Sequence, residues 1–163
     1  MDKIEIFWQG PISLDDAIQF KLESDYGIYQ IYGTHNILGA NTLLYIGKAQ
    51  GIKYGERLLQ HKAWMEYGFS DFQIYLGRLG GTKKISNEEW DEQIITAEKL
   101  LIYYCSPPYN SSNINDYGNI SDTIVLNFGK KCQIPVEVST LYWDSEFWNK
   151  ENWRKSEIWQ EYN

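Results

Sequence analysis

The chain has 163 residues, enough for one domain with a sizeable core and too few for a second large one. With 43% hydrophobic and 16% aromatic residues it is not a disordered chain, and no apolar run approaches the roughly 18 residues that would read as a membrane span. A formal net charge of −7 argues against a broadly basic face for a polyanion, yet residues 47–84 hold seven Lys and Arg against three acids, so the positive charge gathers in one segment.

Met1 to Trp8, with Asp2, Lys3 and Glu5, lacks the basic and apolar regions of a signal peptide, and a cytoplasmic protein with no membrane association is expected. Ser13-Leu14-Asp15-Asp16 offers a helix N-cap with an acid at the third helical position, and Leu14, Ala17, Ile18 and Leu22 follow at helical spacing, so a short helix is predicted there. Residues 26–32 and 42–46 are rich in aromatic and β-branched side chains around a turn-forming 33–41 segment, which reads as an antiparallel hairpin. A helix over about 56–67 follows Gly55 and is stopped by Gly68, and alternation over 72–79 suggests a third strand. Ser86 then caps a longer helix that ends before Pro107-Pro108. Residues 123–128 and 133–138, around Gly129-Lys130-Lys131, read as a further hairpin, and the tail carries Trp143, Trp148, Trp153 and Trp159. Cys105 and Cys132 are too few and too isolated for a disulfide framework or a zinc site and are read as reduced packing residues.

Gly27-Ile28-Tyr29 and Tyr45-Ile46-Gly47 flank the first hairpin, an arrangement that can hold two phenols close together while the glycines leave room beside them. Arg57 and His61 lie one helical turn apart and project from one face. The planar Arg fork suits a phosphate, and His can exchange a proton near neutral pH. Glu98 has Ile94, Ile95, Leu101 and Ile102 as its helical neighbours, so a lone carboxylate faces a half-buried apolar surface. That charge needs compensation, either by a structural salt bridge or by a hard divalent cation. Asn110 closes the run Pro107-Pro108-Tyr109-Asn110.

In this order the six positions, Tyr29, Tyr45, Arg57, His61, Glu98 and Asn110, resemble the GIY-YIG nuclease family over about residues 25–113. The resemblance implies an α+β fold, a small, mostly antiparallel three-stranded sheet flanked by helices. It makes 1–163 a single domain with its core at 25–113; residues 1–24, with the N-terminal helix, and 114–163, with the C-terminal hairpin and helix, are extensions packed on that core. Two intervals are long for the family, the one between the tripeptides and the one from Lys48 to Glu56.

The implied activity is hydrolysis of DNA phosphodiester bonds by in-line attack of water at a one-metal site. Glu98 would hold Mg²⁺ or Mn²⁺, Arg57 would contact the scissile phosphate, and Tyr29 and Tyr45 would act near the attacking water and the phosphate. Tyr29 and His61 both stand as candidates for the proton acceptor. Lys48, in Gly47-Lys48-Ala49, matches the Gly-Lys-Ala that follows this motif in excision-repair nucleases and is expected to grip the DNA backbone, with Gly27 and Gly47 allowing the substrate close. No element for reading bases is evident, so specificity for branched or damaged DNA is left to the 33–41 and 80–87 insertions, to dimerisation or to a protein partner. The rival expectation is an interaction module with an idle site and a partner-binding tail of Trp143, Phe147, Trp148, Trp153, Ile158 and Trp159.

Overall fold

The computed structural model describes residues 2–22, 24, 26–66, 71–80 and 87–141, with the backbone alone at 63, 64 and 66. Its first strand, β1 (Asp2–Ile12), comes from strict alternation. Ile4, Ile6 and Trp8 point to one face and are at most 2% exposed, while Lys3 and Glu5 share the other and pair at 2.9 Å. Helix α1 (Leu14–Ala17) follows, with the Ser13 hydroxyl accepting from the Asp16 amide at 3.1 Å, as the cap pattern predicts. Then come β2 (Gly27–His35), β3 (Gly39–Ala49), α2 (Tyr54–Glu66), β4 (Gln73–Leu79), α3 (Asn87–Cys105), β5 (Thr123–Gly129) and β6 (Glu137–Ser139).

The six strands form one mixed sheet in the order β3-β2-β4-β1-β5-β6. This overturns the expected three-stranded antiparallel sheet. β1 lies in the interior, antiparallel to β4 and parallel to β5, with Asp2 opposite Thr123 and Trp8 opposite Gly129. The first residues and the 123–139 segment are therefore strands of the same sheet as the tripeptides. Long-range pairing is what local pattern did not disclose: the Trp8 indole N–H donates to the Asn127 side-chain oxygen at 2.9 Å across 119 positions of sequence. Opposite Trp8 on β4 stands Gly77, where a Cβ would lie 2.7 Å from the indole ring.

Both faces of the sheet are covered. On one, Ile28, Ile46 and Val125 pack with Ile94, Ala97, Leu100 and Leu101 of α3. On the other, Tyr29, Ile31, Ile74 and Leu76 pack with Ala17 of α1 and with Tyr54, Leu58 and Met65 from α2. A strand buried on both sides reads as a continuous apolar run, and residues 27–33 of β2 are all buried. The long interval between the tripeptides is taken up by strands that run on to His35 and resume at Gly39, which leaves a turn of 36–38 where a longer one was expected. The other long interval ends early, because α2 begins at Tyr54 where Gly55 meets the end of α1; a Cβ there would lie 2.2 Å from the Ile18 carbonyl oxygen.

Candidate active site at the sheet edge

β3 is an edge strand, and the segment after α3 closes its open side near the site. The Tyr109 amide donates to the Leu44 carbonyl at 3.0 Å. The Asn110 side chain then accepts from the Ile46 amide at 3.0 Å and donates to the Ile46 carbonyl at 2.8 Å, standing in for one rung of a missing strand. Both ends of this buried amide are thus committed to the residue between Tyr45 and Gly47. In this structure Asn110 positions the edge strand.

The α2 side of β3 holds most of the expected residues. Across the β2–β3 pair Tyr29 faces Gly47 and Ile31 faces Tyr45, so the two phenol rings lie 6.1 Å apart and nearly stacked. Gly47 makes this possible: a Cβ would fall 2.4 Å from the Tyr29 hydroxyl and 2.6 Å from the Tyr45 ring. Gly27 does a different job from the one expected. With φ +147° it makes room for Tyr54, whose hydroxyl donates to the Gly77 carbonyl at 2.7 Å; a Cβ on Gly27 would lie 2.3 Å from that hydroxyl.

From α2, the expected helical pair converges on the phenols. His61 Nε2 is 2.6 Å from the Tyr29 hydroxyl, and its ring centroid is 4.8 Å from that of Tyr45. Arg57 donates from Nη1 to Gln60 Oε1 at 2.6 Å, and its Nε–H is buried with no partner among the described residues. Gln60 was not singled out in the sequence, although its i+3 position from Arg57 is the spacing that brings helical side chains together.

Electrostatics sort these groups into neutral and charged. Burial, and next the neighbouring Tyr45, raises the Tyr29 hydroxyl far above the ordinary tyrosine range, against the opposing charge and hydrogen bond of Arg57. Burial and the Glu98 charge raise Tyr45, opposed by Arg57 and by a hydrogen bond with Tyr29. Burial, then Arg57, pushes His61 down to about 4. At neutral pH the cluster is two phenols and an uncharged imidazole around one fixed cation.

The α3 side of β3 holds the remaining pair. Glu98 is 8% exposed among the buried Ile94, Leu101 and Ile102, and the Lys48 ammonium, on the same face of β3 as Ile46, forms an ion pair with its Oε2. Lys48 was expected on phosphate; in this structure it compensates the carboxylate. Among the described residues no group of three or more His, Cys, Asp and Glu could cage a metal. Glu98 is the one carboxylate among the expected site residues that could hold a hard cation such as Mg²⁺ or Mn²⁺, and in this structure its partner is the Lys48 ammonium.

Ser86, Lys83, Lys84, Gly68 and all of the expected tail aromatics from Trp143 to Trp159 lie outside the described residues. Both cysteines are free, and burial pushes the Cys105 thiol up to about 12, so it packs as a neutral group. No helix among the described residues is long and apolar enough to cross a membrane. Comparison with protein families, with curated proteins and with solved structures finds no match for this chain.

Proposed function

We propose that the chain is a divalent-cation-dependent endonuclease of the GIY-YIG type, hydrolysing DNA phosphodiester bonds at the edge of β3. The observation that carries this reading is the Arg57 guanidinium, held beside Tyr29 with a buried Nε–H that lacks a partner among the described residues. A buried donor on a permanent cation is costly to leave unpaired and is suited to an anionic oxygen brought by a substrate.

The chain's own groups then divide the work. Arg57 steadies the phosphoryl oxygens through the transition state. The neutral His61 is the terminal proton acceptor, and Tyr29 relays to it, giving its hydroxyl proton to Nε2 as it takes one from the attacking water. A phenol held so far above its usual range is a poor resident phenolate, which assigns the lasting charge to the imidazole. Burial is the main cause that depresses His61 and Arg57 the second; phosphate beside Arg57 would offset the second and raise the basicity of the ring to that extent. Tyr45 donates toward the phosphate from the adjacent ring position. Glu98 would hold the divalent cation, which when bound stabilises charge on the departing 3′ oxygen.

One observation favours a second reading. The Lys48–Glu98 ion pair already compensates the buried carboxylate, as it would in an interaction module with an idle site. Incubating the protein with supercoiled and branched DNA, with Mg²⁺, with Mn²⁺ and with chelator, separates the two. Cation-dependent nicking supports the nuclease; intact DNA of every form under all three conditions supports the idle module.

A further inference from the structure

A separate cavity of about 310 Å³ opens between the end of β3 and the starts of α2 and α3, lined by Tyr26, Gly51, Ile52, Lys53, Asn87, Trp90 and Asp91. Two features mark it as more than a packing gap. Tyr26 and Trp90 bring their rings to 5.9 Å, tilted by 56°, which gives the cavity an aromatic wall. The Trp90 indole N–H, a donor with no acceptor capacity, is buried and has no partner among the described residues. A buried donor of this kind is normally satisfied, and the cavity beside it is where an acceptor could enter.

The lining also narrows the chemistry of the occupant. One lysine and one carboxylate, Lys53 and Asp91, leave the cavity close to neutral. That environment disfavours a phosphate and suits a neutral planar group with both carbonyl and N–H functions on its edge. The volume is at the small end of ligand sites, room for one ring system and its sugar.

Position connects this cavity to the site. Trp90 and Glu98 lie on the same helix, roughly 12 Å apart along its axis at 1.5 Å per residue. Lys53 is one turn before Arg57 and accepts from the Arg57 amide at 3.0 Å. Arg57 and the cavity-lining Lys53 are thus one helical turn apart.

We infer that this cavity takes one unpaired nucleobase of the strand being cut, stacked against Tyr26 and accepting at its edge from the Trp90 indole, with Asp91 accepting from the base's N–H. This rests on the nuclease reading and deepens it: the pairing edge of a base in intact duplex is occupied, so the substrate is DNA with an unpaired or extruded nucleotide beside the cut.

The test is a binding measurement on the full chain in chelator, where nothing is cut. Fluorescein-labelled duplexes carrying one bulged nucleotide are compared with the same duplexes bearing an abasic residue at that position. The parent protein should bind the base-bearing bulge about tenfold or more tightly than the abasic one. W90F keeps a ring in the wall and should lose most of that difference, as should Y26L, provided each variant melts near the parent temperature. D91N, under the same melting control, should reduce the difference partially. Equal binding of base and abasic bulges by the parent, or an undiminished difference in all three variants, overturns the subsite. Failure of the nuclease reading looks different. A base-dependent difference with no cleavage under Mg²⁺ or Mn²⁺ leaves the subsite and removes the nuclease, whereas cleavage indifferent to the base does the reverse.

Discussion

The two faces of β3 solve the same difficulty, polar groups at a nearly closed site, in opposite ways. On the α2 face Tyr29, Tyr45 and His61 are kept uncharged by burial around Arg57, a cation whose Nε–H is left waiting. On the α3 face Glu98 keeps its charge and meets it with Lys48. The difference is between a surface prepared to receive charge and one already in balance. On the nuclease reading, an anion arriving on the first face would relieve the part of the His61 depression that comes from Arg57, the larger part being burial.

The largest effect expected from breaking this contrast is at Gly47. Gly47→Ala places a Cβ against both phenols of the receiving face, and since Tyr29 is fully buried its ring has no room to retreat. Cleavage should fall by a thousandfold or more on the order expected for a displaced catalytic group, with about 1–3 kcal/mol of lost stability from overpacking. Plasmid nicking and thermal melting read both; a fully active Gly47→Ala protein would place the chemistry elsewhere.

Arg57→Lys comes next. The point charge survives and the fork does not, so much of the DNA binding should remain while the cleavage rate drops by roughly a hundredfold, because fork geometry matters most in the transition state. Parallel losses in affinity and rate would make Arg57 a simple grip.

The pH dependence of stability through His61 is the smallest of these effects and sharpens the contrast. Its folded-state pKa of about 4 lies below the ordinary value of about 6.5, so folding favours the neutral ring. The stability this contributes is complete above about pH 6.5, is lost as pH falls from there to about 4, and changes no further below. Urea midpoints should therefore fall between pH 7 and 5 in the parent and less steeply in His61→Gln. Equal slopes would mean that the imidazole is not held neutral by its surroundings.

Local pattern disclosed the elements that carry the site and not the sheet that holds them. The Ser13 cap, the hairpin, the Arg57–His61 face and the buried Glu98 could be read from spacing, since each depends on neighbours within a turn or a hairpin. The strand over Ile4, Ile6 and Trp8 was not foreseen: its partner β5 is more than a hundred residues away, and nothing local states that the two run parallel in the sheet. Roles that depend on tertiary approach escaped for the same reason. Gly27 serves Tyr54 and not the phenols, Asn110 is an edge rung, and Lys48 meets Glu98 across a helix–sheet contact.

Glu98→Gln tests the central claim most directly. Supercoiled plasmid is incubated with Mg²⁺ and parent or variant protein, and the melting temperature of each is taken alongside. Lys48 is partly exposed and can turn to water when its partner becomes neutral, so the variant should stay folded. An enzyme built on this carboxylate nicks as the parent and is silent as Glu98→Gln, with little change in melting. Unchanged nicking by the variant, or a parent that never nicks while the variant loses only stability, would make the Lys48–Glu98 pair a structural ion pair and nothing more.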